Sequence, residues 1–230
     1  MLSENDKING VLSAIRCYVP GFSLKLKSES WLQRAIGKTM SLIGNKDYMS
    51  CYWTLIGKTV YRPTACNQGP VDGEWRVILH EGRHVDDCYK LGLPLYSFLY
   101  FFPQIFGILG ILYALALIPA LLLGAPAVLL WGLLSLLCLA PIPALGRAVI
   151  EARAYLVSLC VDFWSGTMGD EEEYLGRLVG RFTDSGYYFM WPFRGMVKRY
   201  FERCLEGLKT GTIKLDSYLL MCRTKANFYK

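Results

Sequence analysis

Two hydrophobic patterns divide this chain. From Leu95 to Gly146 there is no charged residue and apolar side chains run almost unbroken, whereas on either side they recur among polar positions at helix or strand spacing. The uncharged stretch divides at Gly124-Ala125-Pro126 into one arm from about Leu95 to Leu123 and another from about Pro126 to Leu145. Each arm supplies at least the roughly 20 residues that a hydrocarbon core of about 30 Å requires of a helix. A soluble core hairpin would keep a polar face, so the pattern predicts a membrane-inserted helical hairpin. Pro103, Pro119, Pro141 and Pro143 bend or fray it, which leaves a partly re-entrant pair open.

The flanks read differently. Residues 1–27 show no clear periodicity. Ser30 predicts a capped helix through Met40 with Trp31, Ile36 and Met40 on its apolar side, ended by Gly44 and Asn45. Tyr48 to Arg62, rich in aromatic and β-branched residues, predicts one or two strands bent at Gly57-Lys58 and closed by Pro63. Asp72 predicts the cap of a helix of about five turns starting at Gly73 or Glu74, with Leu91-Gly92 and Pro94 as its stop. After the apolar stretch, Arg147 to about Trp164 reads as helix and Gly166 to Gly169 as a turn. Asp170 opens another helix whose Glu171, Glu172 and Glu173 complement its N-terminal dipole rather than bind metal. Residues 186–192 read as an aromatic loop, and Phe193 to Leu208 as a basic amphipathic helix ending near Gly211. The elements make a mainly helical α+β protein. The expected organisation is an N-terminal polar half over 1–94, the hairpin over 95–146 and a C-terminal helical half over 147–230.

Charge adds orientation and excludes a class. The net charge of +6 is spread evenly, with twelve Lys and Arg against nine Asp and Glu before the apolar stretch and thirteen against ten after it. The densest basic run, Arg194, Lys198, Arg199 and Arg203, is too sparse for nucleic-acid binding and reads as a solvated or lipid-headgroup-facing surface. The turn between the arms is short and uncharged while Lys90 and Arg147 flank the hairpin, so a two-span protein with both polar parts in the cytoplasm is expected. The first twenty residues carry acids and no continuous apolar run, so no secretory signal is expected. Eight cysteines without a C-x-x-C pair predict reduced thiols rather than a cysteine zinc site or a disulfide scaffold.

The candidate chemistry lies in His80-Glu81-Gly82-Arg83-His84. A spacing of four on a helix puts both imidazoles on one face, about a turn apart, where they can share a cation, and imidazole nitrogen suits zinc. Glu81 borders that face and can reach a metal-activated water as general base without being a ligand. The chain's only two histidines flank this glutamate. Glu151 is the candidate third ligand, because it lies among Ala148, Val149, Ile150, Ala152 and Ala154, where an uncompensated carboxylate is costly to bury. A surface pair with Arg147 at i−4 is the alternative. Asp86 and Asp87 are either acceptors that orient a ligand histidine or solvated acids.

These motifs resemble the gluzincin zinc metallopeptidases, in which an HExxH helix gives two ligands and a later helix gives a glutamate. Gly57 to Pro63 is similar to the upstream strand, Leu79 to Val85 to the active helix, and the RAVIEARAY segment 147–155 to the third-ligand helix. The compact layout, though without a motif of its own, is similar to that of small phage-encoded or bacterial peptidases. The resemblance implies a zincin-like catalytic domain, Zn2+ held by His80, His84 and Glu151, and an oxyanion-stabilising side chain for which Tyr187 or Tyr188 is favoured over Tyr155 and Arg153. The apolar insertion between His84 and Glu151 departs from better-known gluzincins. The charges around the motif separate it from proteases whose HExxH lies inside a membrane span. The expected partners are a lipid bilayer and a protein or peptide substrate, the latter pairing as an added strand against the 48–61 edge near Tyr187, Tyr188 and Trp191. A membrane-anchoring or pore-forming protein with a structural or vestigial zinc site, and a lipid- or amide-cleaving hydrolase, are the competing readings.

Overall fold

A computed structural model describes residues 2–42, 44–124, 126–140, 142–184 and 190–230. It is 70% helix and 5% strand, which makes it a mainly helical α+β protein. The helices are α1 (Glu4–Tyr18), α2 (Trp31–Leu42), α3 (Glu74–Leu91), α4 (Leu93–Phe101), α5 (Gln104–Leu122), α6 (Leu145–Ser165), α7 (Glu171–Thr183), α8 (Arg194–Lys209) and α9 (Ser217–Phe228). The strands are β1 (Ser23–Leu26), β2 (Thr54–Ile56) and β3 (Thr59–Arg62). The chain divides into two compact units, one of Met1–Leu93, Arg153–Gly169 and Cys204–Lys230, the other of Pro94–Ala152 and Asp170–Arg203.

In the first unit α1 packs on α3. Residues 1–27 are thus not without pattern: Ile8, Val11 and Ile15 form a buried stripe at i, i+3 and i+7. Ser3 and Asp6 close a capping box in front of it. Helix α2 corrects its expected face. Trp31 is 73% exposed and the buried positions are Gln33 and Gly37. A Cβ at Gly37 would stand 2.6 Å from Met49 Cγ, and Tyr48 Oη donates to Gln33 Oε1 at 2.6 Å, so close approach and a buried hydrogen bond select this face. The three-stranded sheet has the order β1-β3-β2, with β1 parallel and β2 antiparallel to β3. Gly57, at φ 61°, makes the β2–β3 turn. Because β3 is the central strand, Tyr61 is not on an edge, and 48–51 is turn and 52–53 irregular rather than strand. Among the described residues β1 and β2 are the edges of the sheet.

The N-cap of α3 is Gly73 in a left-handed conformation, not Asp72, and it provides no side-chain cap. The carboxylate of Glu4, on α1, accepts from Trp75 N instead at 3.1 Å. The Glu74 carboxylate accepts from Val71 N and pairs with Arg62 at 2.6 Å. Helix α9, beyond the last element expected from the sequence, is capped by Asp216, which accepts from Leu219 N at 2.9 Å.

In the second unit α5 is long and apolar enough to cross a membrane, and 17% of its apolar window is buried. The second arm departs from expectation: it is a 3₁₀ segment, Ala127–Leu139, rather than an α-helix. The two arms meet through small residues. A Cβ at Gly107 would stand 2.6 Å from the Leu139 side chain, one at Gly110 2.5 Å from Ser135 Oγ, and one at Gly132 2.4 Å from the Tyr113 ring. Polar groups in the arms find acceptors inside the unit: Ser135 Oγ donates to Gly132 O at 2.7 Å, and Gln104 Nε2 to Ile142 O at 3.1 Å. Asp170 caps α7 as expected, accepting from Glu173 N at 2.8 Å. The Phe182 and Phe201 rings, 5.7 Å apart, join α7 to α8.

Candidate metal centre

The five residues of the HEGRH segment face in two directions. Gly82 lies where a Cβ would stand 2.3 Å from Tyr218 Oη and 2.6 Å from Ile15 Cδ1, so the absence of a side chain is what lets α3 close on α1 and α9. Tyr218 Oη donates to Leu79 O at 2.8 Å at the same crossing. Arg83, 3% exposed, turns into an ion network, with Asp216 Oδ2 at 2.6 Å and Asp87 Oδ1 at 3.3 Å from its guanidinium. Burial opposes the charge of Asp216, but the Leu219 N–H and Arg83 outweigh it and hold the carboxylate below its usual range. These contacts fix the rotation of α3, and with it the direction of the two histidines.

His80 meets one face of α6. Its Nδ1 lies 3.0 Å from Ser158 Oγ, and its ring packs edge-on against Tyr155 at 4.7 Å between centroids. With Nδ1 facing Ser158, Nε2 is the ring nitrogen that could take a metal ion. Tyr155 and Ser158 stand four and seven residues after Glu151 on the same unbroken helix, so helical geometry puts Glu151 on that face as well. Asp87 holds the adjoining turn of α6 through Arg153, with its two oxygens 3.0 and 2.8 Å from the guanidinium nitrogens.

One ligand atom each from His80, His84 and Glu151 lies within 4.8 Å of the others, a group that could hold a metal ion. His84 is 6% and Glu151 4% exposed. Two imidazoles and a carboxylate are the donor types that a catalytic divalent metal takes while keeping a position open. Tyr100 Oη donates to Glu151 Oε1 at 2.6 Å. Arg147 does not pair with Glu151 but donates to Tyr100 O and Gln104 Oε1, both at 3.2 Å.

Sequence reading named Tyr155 only as an oxyanion candidate and missed Ser158, which was detectable as the i+7 position from Glu151. Asp86 and Asp87 are buried rather than solvated: Asp86 binds Lys90 at 2.7 Å and Asp87 binds Arg83 and Arg153. Tyr187 and Tyr188 lie outside the described residues. Lys27, fully buried, gave no signal at all: its ammonium donates to Tyr48 O at 2.6 Å and sits 3.7 Å over the Tyr48 ring. Burial pushes it down to about 8, against the upward pull of the half-buried Glu81 carboxylate. All eight cysteines are free thiols. No protein-family model, curated protein or solved structure matches this chain.

Proposed function

We propose that this chain is a membrane-embedded zinc metallopeptidase of gluzincin type. The observation that carries the reading is the convergence of His80, His84 and Glu151 on one point beside Glu81. His80, His84 and Glu151 would hold the ion. Bound there, zinc supplies Lewis acidity, lowering the pKa of a water ligand to about 7 and polarising the scissile carbonyl. Glu81 takes the proton of the attacking water and returns it to the leaving amine, so one carboxylate serves both halves of hydrolysis. Ser158 and Tyr100 hold His80 and Glu151 in their binding orientations.

The apolar arms form an inserted hairpin, with both polar parts on the cytoplasmic side. Support comes from the largely uncovered surface of α5 and from the lengths of the arms. Nineteen α-helical residues rise about 28 Å, and a 13-residue 3₁₀ segment at about 2 Å per residue rises about 26 Å, each close to the thickness of a hydrocarbon core. The substrate is a peptide segment presented at the bilayer surface.

Glu81→Gln separates catalysis from structure. The variant is expected to retain its metal and lose hydrolysis of a casein or peptide-library substrate by at least about a hundredfold. Unchanged hydrolysis in Glu81→Gln removes the general-base assignment. A zinc-loaded wild-type protein that cleaves nothing favours a structural zinc site.

A further inference from the structure

Helix α8 keeps an apolar stripe exposed beside its buried one. Val197 and Phe201 are buried, while Phe193, Met196 and Tyr200, at i, i+3 and i+7, are 52%, 51% and 40% exposed. Arg199 and Arg203 follow Met196 and Tyr200 by three residues each, and both are exposed beside that stripe. From Phe193 to Arg203 there are four basic residues and one acidic residue, a net charge of +3. An apolar stripe edged by arginines suits a surface that is at once greasy and negative.

The position of the helix start says which surface. Ala144 N, at the end of the apolar stretch, donates to Met190 O at 3.0 Å, three residues before Phe193. Trp191 and Phe193 pack at 5.3 Å between centroids. At the same end of the stretch Arg147 binds the Tyr100 carbonyl and Gln104. Aromatic and cationic groups thus gather where uncharged sequence gives way to charged, the composition of a bilayer–water boundary. Nucleic acid would engage the arginines but leave the exposed Phe193 and Met196 in water, whereas a bilayer takes both.

We propose that α8 is an interfacial helix that binds anionic phospholipid: Phe193, Met196 and Tyr200 enter the boundary between headgroups and acyl chains, and Arg199 and Arg203 bind lipid phosphates. This inference rests on the membrane reading of the hairpin and is independent of the peptidase reading. Its function would be to hold the polar part of the chain at a fixed depth against the bilayer.

The test is hydrogen exchange of the full-length protein in detergent, in phosphatidylcholine vesicles, and in vesicles containing phosphatidylglycerol as well. Peptides from 104–122 report insertion separately, and those from 193–203 report α8. Anionic vesicles are expected to slow exchange in 193–203 relative to phosphatidylcholine alone. Arg199→Gln/Arg203→Gln, two exposed positions, is expected to reduce that protection by up to roughly thirtyfold, from two basic contacts at an anionic surface. Equal exchange of 193–203 in the two vesicle types overturns the proposal, as does protection that survives the double substitution. Protection by a single-stranded oligonucleotide but not by anionic vesicles overturns it in favour of nucleic acid. Absence of protection in 104–122 alone refutes hairpin insertion and leaves the α8 comparison readable.

Discussion

Replacing Lys27 by methionine tests whether the protein holds a cation in its interior beside the candidate general base. The side chain is 0% exposed, and burial lowers its pKa from 10.5 to about 8 although Glu81 pulls the other way. At about 1.4 kcal/mol per pH unit, that difference is about 3 kcal/mol. Between pH 8 and 10.5 the unfolded chain keeps a proton that the folded chain has released, so stability rises with pH across this window. Above 10.5 the lysine is neutral in both states and the cost vanishes; as pH falls through 8 the full cost is present. Methionine fills a similar volume without a charge and removes the dependence. The stability of wild type relative to Lys27→Met should therefore improve by about 2–3 kcal/mol between pH 7 and pH 10, or roughly 5–10 °C in melting temperature for a chain of this size. Parallel thermal melts of both proteins in one detergent give the comparison, and effects shared by the two proteins cancel. The lost hydrogen bond to Tyr48 O shifts the variant equally at every pH, because a neutral amine also donates. A gap that stays constant from pH 7 to pH 10 refutes the picture of a buried, charge-strained lysine.

Other substitutions probe the frame around the metal centre. Gly82→Ala drives a methyl into Tyr218 Oη and Ile15 and is expected to cost about 1–3 kcal/mol; Tyr218→Phe in the same chain should restore part of the loss in a thermal melt, and no restoration would place the strain elsewhere. Ser158→Ala and Tyr100→Phe each remove a hydrogen bond from a candidate ligand, His80 and Glu151 respectively. Each is expected to weaken zinc affinity about 10–100-fold in competition with a chelator, while circular dichroism stays that of wild type.

The grouping of the two histidines on one helix was legible because a spacing of four needs no tertiary information, and the burial of Glu151 was legible from the small apolar residues around it. What surrounds them was not. The contacts of Arg83 with Asp216 and of Arg153 with Asp87 join residues 133 and 66 positions apart, and nothing local in either sequence segment names the partner. The face of α2 was misread because its buried side is set by a glycine that admits Met49 and by a glutamine that binds Tyr48, neither of which weighs in a hydrophobic pattern. Helix α1 had readable signals in its Ser3/Asp6 box and its Ile8, Val11, Ile15 stripe, diluted by the polar residues between them. The second arm of the apolar stretch was read as α-helix from length and composition, and neither property separates an α-helix from a 3₁₀ segment.

The most direct measurement is zinc stoichiometry by mass spectrometry of the purified, zinc-loaded and dialysed chain, beside Glu81→Gln, His84→Ala and Glu151→Ala prepared identically. About one zinc per chain is expected in wild type and Glu81→Gln, with the metal largely lost from His84→Ala and diminished in Glu151→Ala. Wild type without zinc, or His84→Ala retaining as much as wild type, would contradict a metal centre built from His80, His84 and Glu151.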